Sequence, residues 1–80
     1  MNIKEAVIQR IKELCSERDI AVNTLANLAG ITLSTVYSML DPSRKDIGIV
    51  TVKKLCGGLE ISINEFFDSD LFNNLEQEIS

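Results

Sequence analysis

Apolar residues recur at helical spacing along most of this chain, and turn-forming residues interrupt them at short intervals. Ile3, Val7, Ile11 and Leu14 form one stripe, widened by Ile8 and Cys15, so Ile3 to about Arg18 is expected to be an amphipathic first helix capped by Asn2. Lys4, Glu5, Arg10, Lys12, Glu13 and Glu17 then fall largely on the opposite, solvated face, and Asp19 marks the break that follows. Val22 to Ala29 and Leu33 to Leu40 predict two short helices joined by Ala29-Gly30-Ile31. Gly30 supplies the positive φ of a tight turn at no Cβ cost, and Ala26 leaves room for a second helix to cross closely. Leu25, Ala29, Ile31, Val36 and Met39 are expected to face inward, and Thr32 to cap the third helix. Both helices are too short to be stable alone in water, so packing must hold them.

Pro42, within the turn-like segment Asp41 to Asp46, ends the third helix because its ring disfavours helical backbone at the preceding residue. A fourth helix is predicted from about Ile49 to Gly57, with Val52, Leu55, Cys56 and Leu59 inward and Gly57-Gly58 as its stop. Ser62-Ile63-Asn64-Glu65 has the composition of a capping box, so a fifth helix begins at Ile63, and Ile61, Ile63, Phe66 and Phe67 close the core. Leu71, Phe72, Leu75 and Ile79 line one side of a short sixth helix from about Asp70 to Ile79. The expected architecture is all-α: a five-helix domain over residues 1–68, containing a bihelical unit at 22–41, and an acidic amphipathic tail at 69–80. The tail stripe needs a partner, either its own domain or its copy in a second subunit.

Eighty residues suit one domain, and a 45% apolar content with a single proline argues for a folded chain. No apolar run approaches the roughly 20 residues that span a bilayer, and the charged N-terminus begins a helix instead of a signal peptide, so no membrane contact and a cytoplasmic location are expected. With two cysteines and no histidine, a four-ligand Cys/His zinc site cannot form within one chain, and no metal or cofactor is expected. Cys15 and Cys56 each sit on an apolar stripe, where they read as small buried hydrophobes. The net charge of −4 opposes nucleic-acid binding, but its distribution weakens the objection. Eight basic residues face six acidic ones up to Gly58, and none faces six from Leu59 onward. Screening limits exposed charges to a reach of about 8 Å at physiological salt, so a local positive face survives an acidic tail.

The segments LANLAGITLSTVYSML and TVKKLCGGLEISINEFF together resemble the Cro/repressor-type helix-turn-helix family, also called the xenobiotic-response-element family of bacterial and phage regulators. The resemblance covers most of the chain. It implies a repressor-like fold, double-stranded DNA as partner, a homodimer on paired half-sites, a nucleoid-associated location and a third helix that enters the major groove. Carried onto this sequence, it assigns base contacts to Leu33, Ser34, Tyr37 and Ser38, and phosphate contacts to Arg44, Lys45, Asn23, Asn27 and Thr32. A serine hydroxyl both donates and accepts, and Leu33 can pack on a thymine methyl; neither has the bidentate selectivity of Arg, Asn or Gln.

Three departures from the family pattern stand out. Ala21 and Val22 occupy the start of helix two, where the family often has a polar cap and a glutamine that touches phosphate. Cys15 and Leu40 replace a frequent Arg and Glu pair, which packing is expected to substitute. The reading face also lacks Arg, Lys, Asn and Gln. A protein-interaction module of antitoxin or anti-repressor type, using the tail to bind a protein partner, is therefore the alternative to a transcriptional regulator. Enzymatic activity is not expected, because Ser34 and Ser38 have no base at a defensible spacing and no glycine-rich phosphate loop is present.

Overall fold

Side-chain caps at Asn2, Thr32 and Ser62 set where three of the helices begin. A computed structural model describes residues 1–44 and 46–78 and contains α1 (Ile3–Glu17), α2 (Val22–Ala29), α3 (Leu33–Leu40), α4 (Ile49–Leu59) and α5 (Ile63–Phe67), then a 3-10 turn at Asp70–Phe72. The described residues are all-helical, with five α-helices and no strand. Asn2 and Glu5 form a reciprocal capping box on α1: the Glu5 N–H donates to Asn2 Oδ1 at 2.8 Å and the Asn2 N–H to Glu5 Oε1 at 3.0 Å. Ser62 and Glu65 repeat the arrangement on α5, at 3.0 and 3.2 Å.

One device ends three of the helices. Asp19, Gly30 and Glu60 adopt left-handed backbone with φ of 54°, 71° and 58°, and each is followed by an isoleucine. The N–H groups of Ile20, Ile31 and Ile61 each donate back at 3.0 Å, to the carbonyls of Cys15, Ala26 and Cys56, while their side chains pack against the core. The stop of α4 is therefore Glu60 and not Gly57-Gly58, and the helix runs two residues further than its glycines suggested. Gly58 serves packing instead. A Cβ there would lie 3.0 Å from the Ala29 nitrogen and 3.1 Å from Leu25 Cδ1, so its absence lets α4 approach α2, the pair with the most extensive contact in the fold.

Phe66, Ile11, Leu25, Leu55, Val36 and Cys56 are the largest fully buried side chains. Burial pushes both cysteine thiols up, partly offset by Arg18 near Cys15 and by Lys53 near Cys56; this agrees with inert packing roles. On α1 the buried face comprises Lys4, Val7, Ile11, Leu14 and Cys15 with Ala6, while Ile3 is 36% exposed. The face is thus rotated from the expected stripe, and Lys4 points inward instead of Ile3.

The helix expected from about Asp70 to Ile79 is present only as the single 3-10 turn. Ser69 caps that turn, its Oγ accepting from the Leu71 N–H at 3.3 Å, and Asn73 donates to Asp70 Oδ1 at 3.0 Å, but the chain leaves helical backbone directly afterwards. Phe72 is half-buried with its ring 4.9 Å from that of Phe67, which in turn lies 5.0 Å from Phe66. Leu71 and Leu75 are half-buried, and Ile79 lies outside the described residues. Beyond Phe72 the chain returns to the start of α1, where Glu76 pairs with the N-terminal ammonium at 3.4 Å and Glu78 accepts from the Ile3 N–H.

Candidate nucleic-acid interface

The outward side of α3 follows from what its inward side must bury. Val36 and Met39 are buried, which leaves Leu33, Ser34 and Tyr37 exposed and Ser38 half-buried on the opposite flank. Tyr37 is 67% exposed and Leu33 52%, both unusual for large apolar or aromatic side chains on a helix this short. Thr32 Oγ1 accepts from the Thr35 N–H at 3.2 Å, fixing the first turn of α3. No residue of α3 is charged.

The charge beside this face comes from the turn that follows. Its first residue, Asp41, accepts from the Ser43 hydroxyl at 2.7 Å and the Ser43 N–H at 2.9 Å, and these bonds hold its carboxyl below the usual carboxylate value, with smaller help from Arg44 and Lys4. Arg44 Nε lies 3.8 Å from Asp41 Oδ2, and the Arg44 side chain is 65% exposed. A cleft of ≈ 280 Å³ separates α3 from the start of α4 and is lined by Ser34, Ser38, Arg44, Asp46, Gly48 and Thr51, among others. Arg44 and two of the expected base-reading serines thus share one surface. Lys4 Nζ reaches the same turn from the other side and donates to the carbonyl oxygens of Asp41 and Arg44.

Asn23 and Asn27 are exposed on α2, whose first residue is preceded by Ala21 with no side-chain capping bond. The first N–H groups of α2 therefore lack a side-chain acceptor, as do those of α4 after Gly48. Lys45 lies outside the described residues, and Lys53 and Lys54 are exposed on α4. Among the described residues no group of three or more His, Cys, Asp or Glu can hold a metal ion, and no helix is long and apolar enough to cross a membrane.

The family described as the Cro/C1-type HTH DNA-binding domain matches residues 10–70. The chain belongs to this family. Among solved structures, the crystal structure of the prophage Lp1 protein 11 is similar to this Cro/C1-type domain at 36% sequence identity and a TM-score of 0.83, over 94% of this chain and 100% of that one. No curated protein matches the chain.

Two side chains of the Cro/C1-type domain were expected in solvent and are not. Lys4 is 6% exposed, and Arg10, with its side chain 12% exposed, donates from Nε to the Phe66 carbonyl at 2.7 Å and from Nη2 to the Glu65 carbonyl at 2.8 Å. Arg10 thereby satisfies the C-terminal carbonyls of α5. The spacing of Lys4, Val7, Ile11 and Leu14 is a regular three-four alternation, and that phase was the available signal for Lys4. Of the two residues standing where the family often has an Arg and Glu pair, Cys15 is buried but Leu40 is 37% exposed, so packing takes the place of only one of them.

Proposed function

We propose that this Cro/C1-type domain is a non-catalytic transcriptional regulator that lays α3 in the major groove of double-stranded DNA. Leu33, Ser34, Tyr37 and Ser38 meet base edges, and Arg44, Thr32, Asn23, Asn27 and the open first turn of α2 meet phosphate. Lys45 is assigned to phosphate on the sequence pattern alone. The observation that carries this reading is the uncovered outer side of α3 in a member of this family, with Leu33 and Tyr37 more than half exposed. The tail supports it too, because the Glu76 and Glu78 carboxylates engage Met1 and Ile3 and not α3.

The protein acts as a homodimer on a palindromic site. The two half-sites of such a site lie one helical turn of DNA apart, about 34 Å. Because serine and leucine read bases less selectively than Arg or Asn, discrimination per half-site is modest and pairing of half-sites raises it. Exposed Ile49 and Val50, 65% and 64% accessible, favour a protein contact as the second reading. Selection from a random-sequence duplex pool at low salt tests the proposal. An enriched motif of two related halves supports it, and a pool without enrichment overturns it.

A further inference from the structure

We propose that Lys4 is a positioning residue for DNA binding, holding the turn between α3 and α4 so that Arg44 is presented beside the reading face; this rests on the assignment of α3 to the groove. Lys4 is the one buried charged side chain among the described residues. An ammonium carries three donors and no acceptor, so it can join two carbonyl oxygens that repel each other when left alone. Those carbonyls belong to Asp41 and Arg44, the first and last residues of the turn. Such a burial is tolerable only when the charge is well bonded, so the contact resists loosening in both directions.

The turn is also closed from within. The Arg44 N–H donates to the Asp41 carbonyl at 3.1 Å, and Ser43 donates twice to the Asp41 carboxylate. With the Arg44 carbonyl drawn inward to Lys4, its side chain is left outside, lining the cleft it shares with Ser34 and Ser38. Ordering this backbone before binding removes a cost that a loose turn would incur on meeting the strand. Lys4 itself touches no DNA; it acts through Arg44.

Anisotropy titrations of a selected duplex at several salt concentrations test the idea with Lys4→Met, Arg44→Ala and the double variant, each confirmed folded by circular dichroism at the assay temperature. Lys4→Met keeps an unbranched stem and loses the donors. Each single variant is expected to weaken binding about tenfold, the effect of a lost charged hydrogen bond. Each also lowers the salt slope by about 0.9, one phosphate contact. The double variant stays within about twofold of the weaker single variant, because both changes remove the same contact. Lys4→Gln, with an amide donor in place of the ammonium, recovers part of the loss and serves for the same cycle if Lys4→Met does not fold. Folded Lys4 variants that bind with the parent's affinity and slope overturn the positioning role and leave α3 in the groove. Additive losses in the double variant overturn it likewise. A parent chain that binds no duplex removes the assignment of α3, and the role of Lys4 with it.

Discussion

The α5 end of the molecule and the α3 end are held by opposite means. At the α5 end, Phe66 is fully buried, Phe67 meets it edge-on and is met edge-on in turn by Phe72, and Arg10 closes the helix by binding the Glu65 and Phe66 carbonyls. At the α3 end, only Val36 and Met39 of the helix are buried, and the turn beyond is held by hydrogen bonds, from Lys4 and within the turn itself. Aromatic burial contributes large, non-directional stability, whereas a hydrogen-bonded ammonium contributes little net stability and much geometry. The contrast separates a part of the fold that keeps it folded from a part that must present side chains outward in a fixed arrangement.

Substitutions at the two ends can break that contrast, and the largest effect belongs to the α5 end. Phe66→Ala removes a fully buried ring and is expected to cost about 3–5 kcal/mol, measured by urea unfolding. Val36→Ala at the α3 end costs less, about 1–3 kcal/mol, because less apolar surface is lost. Equal losses at the two sites would erase the distinction. Arg10→Met comes next: it strands the Phe66 carbonyl, while that of Glu65 keeps the Asp68 N–H, and is expected to cost about 1–3 kcal/mol while leaving DNA affinity of the folded protein unchanged. A loss of affinity there would mean that Arg10 serves the interface as well as the fold.

A smaller effect tests the helix stops. Glu60→Gly relieves a left-handed residue that carries a Cβ and is expected to raise stability by about 1 kcal/mol, read as a higher melting temperature; an unchanged or lower value contradicts the strain at this stop. The smallest effect concerns acid. Asp41 has its pKa held below the ordinary 3.8 by Ser43, so its contribution is fully present above that ordinary value and is lost as the pH falls through the lower folded value. Asp41→Asn should flatten this part of the melting-temperature profile below about pH 4 and leave neutral pH nearly unaffected, because the carboxylate is exposed to solvent.

Local chemistry made much of this fold legible from the chain alone. The caps at Asn2, Thr32 and Ser62 and the turn at Gly30 each depend on residues within a few positions, and so does the division of α3 into buried Val36 and Met39 and outward Leu33, Ser34 and Tyr37. Long-range contacts were not legible. Lys4 and Arg10 bond to carbonyls 37 to 56 residues away, and a polar residue's type does not reveal that a distant backbone group awaits it. Gly57-Gly58 resembled a stop because glycine often ends helices, yet the neighbouring α2 required Gly58 for closeness and left the stop to Glu60. The tail misled through its apolar spacing: Ser69 caps a turn there, but beyond Asn73 the chain takes its bonds from Met1 and Ile3 at the distant start of α1 and not from its own next turn.

The most direct test of α3 as the reading element is a heteronuclear NMR titration of the labelled chain with a selected duplex. Shift changes concentrated at Leu33, Ser34, Tyr37, Ser38 and Arg44, and weak around Phe66 and Leu71, are the predicted result. Changes centred on the tail or on Ile49 and Val50, with α3 silent, would contradict it.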